Sequence, residues 1–297
     1  MPATQFICPN GACIPITHCL RHCNQPNRCM FLPTLRAIAR SVNRKLPGPS
    51  VTELLAGTRE TYLRRTASYA VDPMQQIFAL HGTAIHALQE EYTYGEVLSE
   101  ERLFDSITSG QFDLYGKILD DHSLILGDYK VTSSYKLMKA LGYYKVDIPT
   151  GKIYRSGLKK GQPRFCKEWR SDGVKSIFEW TVQLNYYRML LEAQGFRVEQ
   201  MEIQAMCRDY GLRIAAERNI TRPIYLIPIP RISDHWLRLY MDAKAGRLQA
   251  ALATHTLPPL CHARERWNDR KCLGYCPVAS LCPHGAALHA GQTGKAI

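Results

Sequence analysis

Apolar residues recur every three to four positions through the first part of the chain, which is the spacing of an amphipathic helix. The pattern predicts helices over residues 32–45, 51–66 and 72–92. Asp72 and Pro73 suit an N-cap and a first helical turn, so we expect the third helix to begin there. All three helices precede any strand-like run.

Two strand-like runs follow, at residues 111–119 and 123–131. They are separated by the turn residues Asp120, Asp121 and His122, which predicts an antiparallel hairpin. The remaining elements that we expect are a helix, two strands and a final long helix, at residues 176–194, 196–209, 223–230 and 235–253. This order predicts an α/β (α+β) fold in which helices flank a central mixed β-sheet.

The composition is that of an ordinary globular protein. With 297 residues, of which 45% are hydrophobic, the chain can bury one sizeable core. It contains no run of about 18 apolar residues, and its N-terminus lacks the basic region and apolar run of a signal peptide. We therefore expect a soluble, intracellular protein with no membrane partner.

The formal net charge of +12 favours a polyanionic partner. Nucleic acid is the leading candidate, although a ribosome-associated or membrane-surface protein would carry the same charge. Much of the basic charge falls in residues 136–175, which contain turn signals and which we interpret as irregular. The segment is a solvated loop or the site of a bound anion, since so many like charges repel one another. Its basic residues include Lys136, Lys139, Lys145, Lys152, Arg155, Lys159, Lys160, Arg164, Lys167 and Arg170.

The chain has eleven cysteines and no export signal, which argues against disulfide bonds, because the cytosol keeps thiols reduced. Five lie within residues 8–29 and four within residues 261–282. We interpret the other two, Cys166 and Cys207, as plain core or strand residues. The turn-rich segment around the first five has little apolar content, so we expect ligands to hold it together.

Asp128 and Lys130 lie two residues apart on the second strand of the predicted hairpin, so their side chains share one face. A solvated salt bridge at a strand edge is the commoner explanation of such a pair. Asp113 lies on the first strand, and pairing of the two strands brings the two carboxylates together. Two like charges so close raise one pKa and destabilise the sheet unless a cation lies between them. The arrangement therefore predicts a divalent metal site.

Magnesium or manganese is the metal that this site favours, because both bind pairs of carboxylates and keep several waters. Manganese also accepts an imidazole. His86 is the candidate imidazole, and it shares one face of the third predicted helix with Gly82 and Glu90. A lone helical histidine is more often a packed or surface residue than a ligand.

Four short motifs occur along the chain, namely GTAIHALQE (82–90), GQFD (110–113), GDYK (127–130) and QLNYY (183–187). In this order they resemble the successive signatures of the PD-(D/E)xK nucleases of the RecB-like branch. That branch includes AddB-type repair nucleases, CRISPR-associated adaptation nucleases with an iron–sulfur cluster, and many phage exonucleases. The resemblance covers about residues 75–285 and rests on the ordered set, since no single motif is specific.

The resemblance implies a restriction-endonuclease-like core with N- and C-terminal cysteine-rich metal-binding appendages. Of the six catalytic residues that it implies, the first three are ligands of Mg²⁺ or Mn²⁺, the fourth is the catalytic lysine, and the last two face the scissile strand: His86, Asp113, Asp128, Lys130, Gln183 and Tyr187. Glu90 has no settled role in this scheme.

Cys261, Cys272, Cys276 and Cys282 could hold a tetrahedral zinc or a four-iron cluster. In the RecB-like branch, three late cysteines of this kind join one earlier cysteine around a [4Fe–4S] cluster. Either Cys261 completes the site here, or an N-terminal residue such as Cys29 takes the fourth place. We favour the local set of four for the cluster.

The local set leaves Cys8, Cys19, Cys23 and Cys29 free to form a second metal site, for which zinc is the expected ion, with Cys13 spare. The alternative is that these thiols bind nothing. Cysteine catalysis is less favoured, because no cysteine lies with a histidine in a recognisable elbow.

We expect the chain to divide into five parts. In order they are a cysteine-rich N-terminal appendage, a helical segment, the nuclease core with its basic insertion at 136–175, a C-terminal four-cysteine segment and a tail, at residues 1–32, 33–72, 73–255, 256–285 and 286–297.

The function that we expect is that of a metal-dependent DNA nuclease, an exonuclease or single-strand DNase of a bacterial or phage-infected cytoplasm, acting in recombination, repair or phage DNA processing. Its basic segment would bind the DNA backbone without reading sequence, and a recombinase, helicase or single-strand-binding protein is an expected partner. One alternative is an adaptation nuclease that trims DNA for a CRISPR integrase. Another is a non-catalytic iron–sulfur or zinc DNA-binding module, against which the intact Asp113, Asp128 and Lys130 argue.

Overall fold

The computed structural model describes residues 3–43, 48–119, 123–175 and 177–293. Within these ranges the strands are β1 (Gln5–Ile7), β2 (Cys13–Pro15), β3 (Ala70–Val71), β4 (Leu98–Ser99), β5 (Arg102–Phe104), β6 (Ser109–Gln111), β7 (Leu114–Gly116), β8 (Ile125–Thr132), β9 (Tyr143–Ile153), β10 (Pro163–Ser171), β11 (Gln200–Cys207) and β12 (Ile224–Pro228). The helices are α1 (Ile16–Arg21), α2 (Leu32–Val42), α3 (Val51–Leu55), α4 (Thr58–Thr66), α5 (Ile77–Glu91), α6 (Ser134–Ala140), α7 (Phe178–Ala193), α8 (Arg213–Ala216), α9 (Asp234–Thr254), α10 (Arg270–Gly274) and α11 (Pro283–Thr293).

A mixed five-stranded sheet, in the order β12–β11–β8–β7–β4, forms the centre of the fold. β8 runs parallel to β11 and antiparallel to β7. Its first residues, Ile125 and Leu126, are fully buried, as expected for an apolar run inside a sheet. α7 contacts both β8 and β11 and is buried from Trp180 to Leu191. The expected mixed α and β class with a central mixed sheet is therefore confirmed.

The hairpin predicted around Asp113 and Asp128 is confirmed in part. β7 pairs antiparallel with β8, with Leu114 opposite Gly127, while the expected turn residues 120–122 lie outside the described part of the chain. The first arm is shorter than predicted, because the preceding residues pair as β6 with β5 instead. Asp113 therefore lies where the chain passes from one ladder to the other.

The first two predicted helices are present, but the second is interrupted. α3 and α4 are separated at Ala56 and Gly57. α3 begins with a capping box in which the hydroxyl of Ser50 accepts the N–H of Glu53, and the Glu53 carboxylate accepts the N–H of Ser50 at 2.9 Å.

The third predicted helix begins later than expected. The carboxylate of Asp72 accepts the N–H of Met74 at 2.9 Å, which closes a turn and not a helical N-terminus. Further turns follow, and α5 begins only at Ile77. Asp72 and Pro73 therefore belong to the loop that leads into α5.

The sequence predicts that residues 136–175 are irregular, and this prediction is wrong. They continue α6 and then form β9 and β10, which pair antiparallel as a separate two-stranded sheet. Most residues of both strands are exposed. The turn signal KKGQP does lie in the connection between the strands, but PTGK lies within β9. We call residues 143–171 the basic ribbon.

The N-terminal segment has more apolar anchoring than we had expected. β1 pairs antiparallel with β2 and parallel with β3, which joins the segment to the loop before α5. Phe6, Ile14 and Ile16 are buried in the main core. Strand pairing and apolar packing therefore hold this segment against the core.

The chain continues in regular structure beyond the C-terminal cysteines. The tail expected at residues 286–297 is helical as far as the structure describes it, because α11 extends to Thr293. Cys166 is exposed on β10 and Cys207 is buried on β11, so both are strand residues, as expected. Within the described ranges, no helix is both long enough and apolar enough to cross a membrane.

Candidate active site

His86, Glu100 and Asp113 meet beside the central sheet. One ligand atom from each lies within 4.8 Å of the others. The imidazole Nδ1 of His86 is 3.1 Å from Glu100 Oε1 and 3.4 Å from Asp113 Oδ1. The structure thus brings together two of the predicted ligands, His86 and Asp113, and adds a carboxylate that the sequence did not single out.

Asp113 is fixed against the neighbouring strand. Its Oδ2 accepts the backbone N–H of Tyr129 at 2.7 Å, and its backbone carbonyl accepts the N–H of Glu100 at 3.2 Å. Both bonds depend on the break between β6 and β7, where Asp113 lies next to β8. Oδ1 is therefore directed to His86 while Oδ2 is held by the strand.

Asp128 and Lys130 share one side of β8, as their spacing predicts. Lys130 forms an ion pair with Oδ2 of Asp128, and Asp128 is only 2% exposed. The pair is therefore not a solvated salt bridge at a strand edge. Within the described part of the chain, Oδ2 accepts no hydrogen bond of good geometry, although it is buried. The ammonium group of Lys130 is therefore the charge that compensates this buried oxygen.

Gln183 and Tyr187 lie one turn apart on α7 and approach Asp128 from the core. The side-chain amide of Gln183 donates to Asp128 Oδ1 at 3.2 Å and to the Tyr187 hydroxyl at 3.1 Å. Tyr187 is 3% exposed. In this structure both residues support Asp128 and do not line an open groove.

The glycine of the GQFD motif makes room for this arrangement. A Cβ on Gly110 would lie 2.6 Å from Cε1 of Tyr187. The aromatic ring therefore packs directly on the backbone of β6, which only glycine permits without a shift. The motif thus combines a packing residue, Gly110, with a candidate ligand, Asp113.

The electrostatics of the site favour a cation. Hydrogen bonding to Asp113 and then to Glu100 raises the pKa of His86 to about 10, against an opposing effect of burial. Burial raises the pKa of Asp128; Lys130 opposes this rise and Asp113 adds to it. The two carboxylates and the imidazole of Glu100, Asp113 and His86 form a donor set that suits Mg²⁺ or Mn²⁺, while Asp128 lies outside the group of ligand atoms within 4.8 Å of one another.

Glu100 could have been found only from a weak signal. It lies just before β5, the strand that pairs with the GQFD strand. Its backbone φ of 53° is uncommon for a non-glycine residue, and its Oε2 accepts the Gln111 amide at 2.8 Å. Glu90, which shares a helix with His86, is exposed and lies outside this group.

The four C-terminal cysteines line one cavity, together with residues of α4 and α11. A side chain at Gly57 would clash with the Cys261 sulfur, so the break between α3 and α4 makes room for this thiol. Arg59 donates to the Cys282 sulfur at 3.6 Å. Although burial acts against it, the N–H groups of His284 and Gly285, together with Arg59, hold the pKa of the Cys282 thiol below its usual value.

The spacing of these sulfurs bears on the metal. Tetrahedral zinc, with Zn–S bonds of about 2.3 Å, holds its thiolates about 3.8 Å apart. Among the described residues, no three cysteine sulfurs lie within 4.8 Å of one another. Ligand atoms of Cys272, Asp269 and His284 do lie within 4.8 Å of one another, so these three residues form a neighbouring group.

The N-terminal thiols also lie near one another. After burial, which is the main cause, Cys23, Cys29 and Cys13 raise the pKa of Cys8. The pKa of Cys19 is also raised, mainly by burial and then by Cys8, Cys29 and Cys23, while Arg28 opposes the rise. The guanidinium of Arg28 donates to the Cys19 carbonyl at 2.8 Å, which ties the loop after α1 back to that helix.

Two comparisons with known proteins were made. No protein-family model matches the chain, and no curated protein matches it. The function of the protein is therefore inferred from the residues of its site.

Proposed function

We propose that the protein is a metal-dependent DNA nuclease with a restriction-endonuclease-like core, of the kind that its ordered motifs resemble. The observation that carries the proposal is the convergence of His86, Glu100 and Asp113 next to the buried pair Asp128 and Lys130. A structural salt bridge alone does not require two further carboxylates and an imidazole beside it, because like charges that lie close together repel one another.

His86, Glu100 and Asp113 would hold the ion, and Asp128, whose Oδ2 is paired with Lys130, would be a further ligand. When bound, a divalent ion lowers the pKa of a coordinated water and neutralises charge on a phosphate. Tyr129 fixes the orientation of Asp113, and Gln183 fixes that of Asp128, so the carboxylates are positioned before any ligand arrives.

Lys130 carries its ammonium group on the same side of β8 as Asp128, with about a quarter of the side chain exposed. An ammonium group in this position would stabilise the negative charge that develops on a phosphate as a nucleophile attacks it. It would also orient the attacking water by donating a hydrogen bond. This role explains why a lysine is kept beside a cation site.

The basic ribbon would bind the DNA backbone. It carries eight Lys and Arg against two Asp and Glu, a net charge of +6, which is half of the +12 of the whole chain. It leaves the core after α6, which follows β8, and returns into α7, so it connects the two elements that carry Asp128 and Gln183. An isolated two-stranded ribbon is only marginally stable in water, and a polyanion lying along it would stabilise it.

The cysteines lining the C-terminal cavity would hold a [4Fe–4S] cluster, as the resemblance to the RecB-like branch implies. The cluster would join the loop at Cys261 to residues 272–282 in a cavity that α4 also lines. The N-terminal set, Cys8, Cys19, Cys23 and Cys29, remains a candidate zinc site.

The proposal is tested with protein purified anaerobically and supplied with single- and double-stranded DNA. Cleavage should require Mg²⁺ or Mn²⁺ and stop on chelation. Asp128→Ala and Lys130→Ala should abolish cleavage but retain DNA binding, measured by fluorescence anisotropy without divalent ions. If both variants cut DNA as fast as the parent protein, the assigned active site is wrong.

A further inference from the structure

A second feature of the molecule that could bind a ligand is a cleft of about 460 Å³ between the first turn of α7, residues 236–247 of α9 and residues 258–265. It contains neither the proposed active-site metal ligands nor Lys130, but Cys261, a proposed cluster ligand, lines it as well as the C-terminal cavity. Its walls are aromatic and cationic, with the side chains Phe178, Trp236, Tyr240, Arg247, His262 and Arg264.

The aromatic wall is ordered by the rings themselves. Trp236 and Tyr240 stack with their centroids 5.4 Å apart and their planes within 11° of parallel. Phe178 packs edge-on against both, at 6.3 Å and 5.7 Å. Trp236 is nevertheless 43% exposed, so the stack leaves aromatic surface open to a ligand. Exposed aromatic rings offer flat faces on which another flat ring can stack.

The cationic side of the cleft is also exposed to solvent. Arg247, His262 and Arg264 are exposed, and the guanidinium of Arg264 lies 4.8 Å from the centroid of the Phe178 ring. Lys244 is different, because it is buried and bonded to the Ala56 carbonyl at 2.7 Å and to Glu265. The two arginines are therefore the groups that could meet an anion.

The cleft lies near the candidate active site. Phe178 begins α7 five residues before Gln183, a distance of about 7.5 Å along a helix. Burial lowers the pKa of Lys136. Glu179, which lies between Phe178 and Gln183 on α7, is close enough to Lys136 to oppose this effect. Lys130 and Asp128 also act on the pKa of Lys136. The first turn of α7 and the pair formed by Asp128 and Lys130 therefore both lie near Lys136.

We propose that this cleft binds one nucleotide of DNA beside the active site, with its base stacked on Trp236 and its phosphate between Arg247 and Arg264. The inference rests on the proposed nuclease function and adds a single-stranded subsite to it. A nucleotide is the ligand that combines a flat ring with an adjacent anion, and the cleft has room for it. Its source is either a free mononucleotide or a nucleotide within a strand.

Intrinsic tryptophan fluorescence tests the proposal without any cleavage. Divalent ions are left out, and the full-length protein is titrated with dAMP and, separately, with a tetranucleotide of deoxyadenosine. We expect stacking on Trp236 to quench the emission. Quenching by dAMP indicates that a free nucleotide suffices, and quenching by the tetranucleotide alone indicates that the base must belong to a strand.

Trp236→Ala should weaken tetranucleotide binding about 5- to 150-fold, the effect of removing one stacked base contact. Trp236→Phe should keep most of the affinity but lose most of the quenching. Trp267→Phe is the matched control, because Trp267 is exposed to a similar extent but lies outside the cleft. Binding by Trp236→Ala that equals the parent's, measured by anisotropy, would overturn the proposal.

Arg264→Gln supplies a second test that does not depend on the indole. It should weaken tetranucleotide binding. It should also reduce the slope of log affinity against log salt by about one, as expected for the loss of one phosphate contact. Because these measurements use no metal, they remain informative if Asp128→Ala fails to affect cleavage. The failure of the subsite and the failure of the nuclease assignment are therefore distinguishable.

Discussion

Glu100 Oε1 lies 3.1 Å from Nδ1 of His86, on the same nitrogen that Asp113 Oδ1 approaches at 3.4 Å. Two carboxylates thus compete for one imidazole N–H. Such an arrangement holds a proton on the histidine in the absence of metal, and the same three groups are a ready set of ligands for a cation.

Glu100→Gln should therefore weaken binding of Mn²⁺ by about 10- to 100-fold, because it removes one charge from the set while keeping the length of the side chain. Calorimetric titration with Mn²⁺ measures this loss. The pKa of His86 should also fall from about 10 towards its ordinary value, since one of its two carboxylate partners is gone. The exposed neighbour Glu101 provides the control, and Glu101→Gln should bind Mn²⁺ as the parent does.

Lys130→Met should lower the free energy of unfolding by about 1–3 kcal/mol, because it leaves the Asp128 carboxylate buried without its ion-pair partner. Adding Asp128→Asn should recover most of this loss, since no charge then remains buried. Urea denaturation of the parent, both single variants and the double variant completes the cycle. DNA cleavage should be absent in all three variants, which separates the chemical role of the pair from its structural one. A double variant no more stable than Lys130→Met would show that the two side chains are not coupled.

Gly110→Ala should destabilise the protein by about 1–3 kcal/mol, because the added methyl group would lie 2.6 Å from the Tyr187 ring. Moving that ring also moves Gln183, so cleavage should fall even at temperatures where the variant is folded. Gly82→Ala is the matched control. Gly82 lies within α5 with open space around it, so alanine there should be neutral or stabilise the helix by up to about 1 kcal/mol. Equal effects of the two substitutions would contradict the packing argument.

The parts of the site that the sequence predicts are those set by local periodicity. Asp128 and Lys130 share a face because strands alternate, and Gln183 and Tyr187 lie together because they are one helical turn apart. Asp113 follows from the pairing of β7 with β8. Glu100 depends instead on a positive φ and on a hydrogen bond from Gln111, and neither leaves a periodic trace in the sequence.

The errors in the predicted fold have a similar origin. The sequence of the basic ribbon predicts a loop because PTGK, which is typical of a turn, lies inside β9. The start of α5 was misplaced because Asp72 followed by proline is compatible with a turn as well as with a helix N-terminus. In both places several local structures suit the same residues, and tertiary packing selects one of them.

The basic ribbon should contribute directly to the salt dependence of DNA binding. Lys159→Gln with Lys160→Gln should reduce the slope of log affinity against log salt for duplex DNA by about two, if each lysine neutralises one phosphate. Arg197→Gln with Arg213→Gln removes the same charge from exposed residues elsewhere and should leave the slope nearly unchanged. Anisotropy titrations at several salt concentrations measure both. Equal changes in slope would mean that the net charge of the protein, and not the ribbon, determines binding.

The cysteines that line the C-terminal cavity should retain iron as a group. Cys272→Ser and Cys276→Ser should lose iron and visible absorbance, because a [4Fe–4S] cluster needs a thiolate at every ligand position. Cys166→Ser is the control, since Cys166 lies exposed on the basic ribbon and should retain the parent's iron content. Metal analysis of anaerobically purified protein gives the iron and zinc content of each variant.

The identity of the fourth ligand follows from one further pair of variants. Cys261 lines the cavity with the other three C-terminal cysteines, whereas Cys29 lies near the N-terminal thiols. Cys261→Ser should therefore lose iron and Cys29→Ser should keep it, with any loss in Cys29→Ser confined to zinc. The opposite result would move the fourth ligand to Cys29 and would mean that the cluster joins the N-terminal segment to the C-terminal one.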